Sequence, residues 1–246
     1  IIGTTISGEG TAGSVTIEAS DTVILDRRDS EVFTGVASNV GTGSEGNGGV
    51  ITITTDSLEV KNGARISADT FGQGNGGGVT ITTDSLEVKN GATISASTFA
   101  QGDVGTVNIN ATETVVLDGG DSEFFTGVVN RLEPGAEGNA GGINITTGSL
   151  ELKNGAAISA GTFAQGDAGT VNINATETVV LDGGDSEVFT AVGSTVERGA
   201  EGNAGGVTIT TESLEVKNGV LITASTFVQG DAGTVNINAT ETVVLD

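Results

Sequence analysis

The chain repeats itself at two alternating lengths, and this restricts its possible folds more than any other feature. The run Val/Ile-x-Ile begins at Val15, Ile51, Val79, Val107, Ile143, Val171, Val207 and Val235, at spacings of 36, 28, 28, 36, 28, 36 and 28 residues. A second marker, Asp26, Asn62, Asn90, Asp118, Asn154, Asp182, Asn218 and Asp246, keeps the same spacings. Two independent markers in one register describe a unit copied in series, and such units bury their apolar side by stacking on one another. The 246 residues divide into one array: a partial coil 1–14, complete coils 15–50, 51–78, 79–106, 107–142, 143–170, 171–206 and 207–234, and a partial coil 235–246. Ile1 and Asp246 both fall inside a coil, so the sequence reads as a stretch of a longer array. Its partner is then itself, through continuation into further repeats or coil-end stacking.

One 28-residue unit, VTITTDSLEVKNGATISASTFAQGDVGT (79–106), contains three short segments of period two. Val79 with Ile81, Leu86 with Val88, and Ile94 with Ala96 each share a face. Asn90-Gly91 and Gly102-Asp103 supply the backbone freedom that turns a corner. Three strands of four to six residues and three corners use the 28 residues, which predicts a right-handed parallel β-helix with three sheets around a narrow apolar interior. Stacked at about 4.8 Å per coil, the array makes a rod roughly 40 Å long.

The 36-residue units diverge after their Asp-Gly corner. Read letter by letter, VNINATETVVLDG (107–119) matches VTITTDSLEVKNG (79–91), which places the eight extra residues later, in side loops such as 127–142. The same alignment puts Val115 and Leu117, Val179 and Leu181, and Val23 and Leu25 outward on the second sheet, where short coils carry Glu87 and Lys89. Exposed apolar ladders of that kind invite association. The expectation is therefore that each insertion folds back over the stripe, using Val128, Val129 and Leu132, or Val192 and Val196.

Composition excludes several functions. With 32 acidic and 9 basic residues the net charge is −23, so neither nucleic acid nor an anionic membrane surface is an expected partner. No stretch approaches the roughly 18 apolar residues of a membrane span. The absence of Cys and His removes thiolate sites and the usual neutral-pH proton shuttle. No enzymatic role and no cofactor are expected.

Several residues invite a site. Asp118, Asp121, Asp182 and Asp185 are candidate cation ligands, with Ca²⁺ as the fitting ion, bound weakly and diffusely. The stronger reading of the Asn/Asp-Gly markers is a structural corner ladder, because Asn and Asp tolerate a left-handed backbone beside Gly and stacked amides hydrogen-bond between coils. Asp121-Ser122-Glu123 recurs at 185–187 and 29–31, and paired carboxylates cleave glycosides. A motif copied identically, however, gives equal turn acids and not two carboxylates in unlike environments. Thr52, Thr54, Thr80, Thr82, Asn108, Asn110, Asn144, Thr146, Asn172, Asn174, Thr208 and Thr210 form the outward rows of sheet one, and resemble an ice-binding face broken by Asn at the long coils. Phe71, Phe99, Phe163 and Phe227 share one repeat position and read as a corner stack.

SLEVKNGATISASTFAQG (85–102) and GTVNINATETVVLDG (105–119) resemble the repeats of large cyanobacterial exoproteins of the filamentous-haemagglutinin type, exported by two-partner secretion. The resemblance covers essentially the whole chain. It implies a stretch of a β-helical stalk that is secreted, extracellular or on the outer cell surface, used in adhesion, aggregation or matrix building, with a glycan or cell-surface target. The alternatives are a carbohydrate-binding or carbohydrate-cleaving β-helix and an ice-binding β-solenoid.

Overall fold

A computed structural model of the chain, described over residues 1–28 and 32–246, is a parallel β-solenoid of about eight turns. The described residues form twenty β-strands and no helix. Coil 79–106 shows the plan. In the strand Val79–Lys89 the side chains of Val79, Ile81, Leu86 and Val88 are fully buried, while Thr80, Thr82 and Glu87 face outward. A corner at Asn90-Gly91 leads to the strand Thr93–Ser95, where Ile94 points inward, and a glycine-rich return begins the next coil. Each coil pairs in parallel with the next, so Ile51, Val79, Val107, Ile143, Val171, Val207 and Val235 lie in one file.

The first and second of the three expected sheets are joined. One eight-stranded sheet, from Ile2–Ile6 to Leu221–Thr226, makes the third face, and a twelve-stranded sheet bends to make the other two. At this bend most coils carry no glycine, Gly148 being an exception, and in Val79–Lys89 and Val207–Lys217 one strand runs through it unbroken. Thr55, Thr83, Thr147 and Thr211 point into it, buried, and donate to main-chain oxygens on both sides. Thr83 Oγ1, for example, reaches Asp56 O at 3.0 Å and Ser85 O at 2.9 Å. A hydroxyl that donates locally can sit inside an apolar prism without an unpaired-group penalty.

The long coils depart from the letter-by-letter alignment. Partners lie 28 residues apart at Val79 and Val107, but 29 apart at Leu86 and Val115, with a bulge between Ala111 and Thr114. The separation reaches 34 at Thr93 and Gly127, and 36 at Gln101 and Glu137. The eight extra residues are therefore split into one at the bulge, five in a corner loop ending at Phe125, and two in a turn before Glu137. In the corner loop Ser122 N donates to Gly119 O, and Ser122 Oγ accepts from Phe124 N. In the turn Ala136 N donates to Glu133 O, and Gly135 takes φ +85°, which its lack of a Cβ allows.

The one-residue bulge reverses the expected faces, because a slip of one turns every side chain over. Val115, Leu117, Val179 and Leu181 are fully buried, and Val23 and Leu25 pack against the core. The outward apolar residues are instead Ile24, Val116 and Val180. Each stands beside a glutamate of an adjacent coil: Glu59 for Ile24, Glu87 and Glu151 for Val116, Glu151 and Glu215 for Val180. Among the described residues no fold-back covers the second face. Val128 and Val192 belong to the core of the third face, Val129 lies partly exposed on that face, and Leu132 and Val196 anchor two small clusters with Ala136 and Ala200 under the return.

The slip also places charge. Asp118 lies in register with Lys89 and Lys153, and Asp182 with Lys153 and Lys217, so long coils set carboxylates between the lysines of short ones. Within short strands the lysines pair with glutamates two residues back, at 2.8 Å for Lys89–Glu87 and for Lys153–Glu151. These pairs are part-exposed and each adds little alone. The core dominates, at about 1.5–3 kcal/mol for each Leu, Ile or Val taken from water.

Val116→Lys, flanked by Glu87 and Glu151, is expected to change stability by about 0.5 kcal/mol or less. Val115→Lys, which drives an unpaired ammonium into the prism, is expected to cost more than about 4 kcal/mol. Thermal melts of the two variants compare them directly, and the reverse order would restore the letter-by-letter alignment.

Candidate functional site

Two columns of Asn and Asp side chains run along the corners. In the first, Asn62, Asn90, Asn154 and Asn218 adopt φ between 52° and 57°, the left-handed conformation that lets the chain turn before Gly. Asn62 Nδ2 donates to Asp26 Oδ1 at 2.9 Å, Asn90 Nδ2 to Asn62 Oδ1 at 3.2 Å, Asn154 Nδ2 to Asp118 Oδ1 at 2.8 Å, and Asn218 Nδ2 to Asp182 Oδ1 at 2.6 Å. These bonds join the corner residues in three runs, Asp26-Asn62-Asn90, Asp118-Asn154 and Asp182-Asn218, where the sequence suggests one column of eight. Each run begins at an aspartate, because the bulge sets Asp118 and Asp182 one position back, on the lysine file. Asp246 is exposed at the last coil, with its N–H bonded to Val216 O.

The aspartates at the corner are held by donors. Asp118 Oδ1 also accepts from Gly120 N at 3.0 Å, and Asp182 Oδ1 from Gly184 N at 2.9 Å with Lys217 Nζ 3.7 Å from its other oxygen. The hydrogen bond from the Asn218 amide holds the Asp182 carboxyl below its ordinary 3.8, and that from the Asn62 amide does the same to Asp26. Surrounding N–H groups suit a carboxylate, not a cation shared with it. Asp121 and Asp185 are exposed on corner-loop tips that border a shallow depression with Asn154 and Ser186. Among the described residues no three acidic side chains converge as a metal site. The third copy of the loop motif, Asp29-Ser30-Glu31, lies outside the described residues.

The second column was not anticipated as a ladder. Asn47, Asn75, Asp103, Asn139, Asp167 and Asn203 each accept, through Oδ1, the main-chain N–H of the next member, at 2.8–3.2 Å, up to Asp231. These residues recur at the same 28 and 36 spacings as the other markers. Exchange between Asn and Asp along a glycine-rich stretch concealed them.

The outward rows of the first face are as expected, and Asn108, Asn144 and Asn172 are joined through their amides at 2.9 and 3.0 Å. The phenylalanine file is only partly a stack. Phe71 and Phe99 lie 4.6 Å apart at 19°, but Glu133 and Glu197 follow Leu132 and Val196 at the same position in the long coils and separate Phe163 and Phe227.

Beside that file, on the third face, are groups that occur once and so carry no repeat signal. Asp69 accepts from Ser67 Oγ at 2.6 Å, Ser95 Oγ at 2.9 Å and Ser97 N at 2.8 Å, and its own N–H donates to Asn39. Burial pushes its carboxyl above the ordinary 3.8 against the pull of those bonds. Two coils on, the Arg131 guanidinium lies 5.0 Å from the Phe125 ring centre and 5.8 Å from that of Phe163, with Nε buried and without a hydrogen-bond partner. Burial lowers the Arg131 pKa while Glu133 and Glu197 oppose the fall. Burial and the Asp69 charge raise Glu133, against Arg131. The result is a polar strip with a cation within reach of two aromatic ring faces.

A raised carboxyl pKa contributes stability that is full below its unfolded value and is lost as pH climbs through its folded one. Asp69→Asn is therefore expected to melt at a temperature that gains on the wild type as pH rises from about 4 toward neutrality. Melting curves at several pH values read this, and a constant offset from pH 3 to 8 would remove Asp69 from the titrating groups. Searches against protein-family models, curated proteins and solved structures found no match to this chain.

Proposed function

We propose that this chain is a stretch of structural stalk from a secreted or cell-surface exoprotein of the filamentous-haemagglutinin type. Its work is to extend and present surface for adhesion, aggregation or matrix building. The observation that carries this reading is the single apolar cluster running from Val15 to Ala224, in register through every coil. A column of that kind gives length, and its outer faces are sites for contact. The repeated acids Asp121, Glu123, Asp185 and Glu187 are exposed at loop tips, which supports a role without catalysis. The charge of −23 supports a rod that stays apart from anionic envelopes. The resemblance of 85–102 and 105–119 supports the location outside the cell.

A second reading is favoured by one observation. Arg131 between Phe125 and Phe163, beside the serines around Asp69, offers the mixture of ring faces and hydrogen-bonding groups that docks a glycan on a sheet face.

Removal of residues 143–206, one short and one long coil, is expected to leave a folded rod about 10 Å shorter, since each layer rises about 4.8 Å. Small-angle scattering measures the length. Collapse of the shortened array, or release of reducing sugars from polysaccharide by the intact chain, would count against the stalk. On a glycan array, signals that Arg131→Ala abolishes without changing the melting temperature would select the second reading.

A further inference from the structure

The first corner column contains Asn-Gly pairs, and this dipeptide has its own chemistry. The Gly main-chain nitrogen, unhindered by a side chain, can attack Cγ of the preceding Asn. A bond forms from that nitrogen to Cγ, the nitrogen yields its proton to water, the Cγ–Nδ2 bond breaks and ammonia leaves. Water then opens the cyclic imide at either carbonyl, giving Asp or isoaspartate. The net change is addition of one water and loss of one ammonia, with no redox step. The attack needs a free Gly nitrogen, and the structure occupies it.

It does so in two ways. Where a short coil follows, as at Asn62-Gly63, the Gly63 N–H donates to the Asn90 carbonyl of the next corner at 3.0 Å. Where a long coil follows, the next corner is widened by its five-residue loop and a hydroxyl takes that place. Gly91 N donates to Thr126 Oγ1 at 2.7 Å, and Gly155 N to Thr190 Oγ1 at 2.8 Å. Thr126 and Thr190 are buried. The amide on the other side of the reaction is engaged as well, through the bonds from Asn90 to Asn62 and from Asn154 to Asp118.

We propose that Asn90 and Asn154 are latent deamidation sites, latched by Thr126 and Thr190 of the following long coils, so that separation of those coils exposes an irreversible chemical switch. The switch changes the rod. An aspartate at 154 would set its carboxylate against that of Asp118, where the present amide donates at 2.8 Å. An aspartate at 90 would remove the donor to Asn62. In the second column Asn47 and Asn75 accept main-chain N–H groups through Oδ1, an oxygen that an aspartate keeps and that Asp103 and Asp167 already supply, so conversion to Asp at those two positions costs neither of these bonds.

The test is incubation of the full chain at pH 9, with peptide mass spectrometry reading the mass gain at each Asn. Thr126→Val keeps the shape and removes the hydroxyl. It is expected to speed conversion at Asn90 by about tenfold, the factor of one hydrogen bond, and to leave Asn154 unchanged. Thr190→Val should do the reverse, and Thr126→Ser should restore protection at Asn90. Equal acceleration at both sites in either variant, or none at either, would overturn the proposal. If the valine variants do not fold, the wild type decides: Asn90 and Asn154 converting as fast in the folded chain as in urea would overturn it equally, and slower conversion when folded supports it.

Discussion

Parallel stacking in register is the constraint on which the rest of this structure depends. Each strand satisfies its N–H and C=O groups only through the coils above and below, so a residue of one coil meets its counterpart in the next at a fixed spacing. Apolar counterparts then build a continuous column, as Ile66, Ile94, Val128, Ile158 and Val192 do on the third face. Corner residues must likewise accept from or donate to their own kind. A side chain in such an array is selected for what it does to a neighbour much like itself.

That constraint explains how a 36-residue coil stacks on a 28-residue one. The surplus cannot enter a paired segment without unpairing it, so it is parcelled among places where pairing lapses: the bulge after Ala111, the loop before Thr126 and the turn before Glu137. The single residue at the bulge has the largest effect. It turns Val115 and Leu117 inward, leaves Val116 between two glutamates, and sets Asp118 among lysines.

Much of this was legible from spacing alone. The parallel stack, the inward Val-x-Ile pairs and the Asn-Gly corners follow from periodicity and turn chemistry. The register slip was not, because Val115, Val116 and Leu117 are apolar in succession and satisfy either facing. The similarity of Asp-Gly to Asn-Gly then favoured the wrong one. The signal lay in the stretch from Ala111 to Thr114, one residue longer than its counterpart from Thr83 to Ser85. The file through Asn47 and Asp103 was hidden by exchange of amide for acid. Asp69 and Arg131 were invisible for a different reason: a reading based on recurrence passes over whatever occurs once.

The file through Asn47 and Asp103 has an evolutionary corollary. Asn47 and Asn75 serve the next coil through an acceptor oxygen, so codon changes from asparagine to aspartate there keep that bond, each altering the rod's charge by one unit, whereas Asn139 and Asn203 also donate to Asp103 and Asp167 and are held as amides. Mutational drift at Asn47 and Asn75 therefore supplies a graded means of adjusting electrostatic repulsion between copies of the rod while the architecture stays fixed.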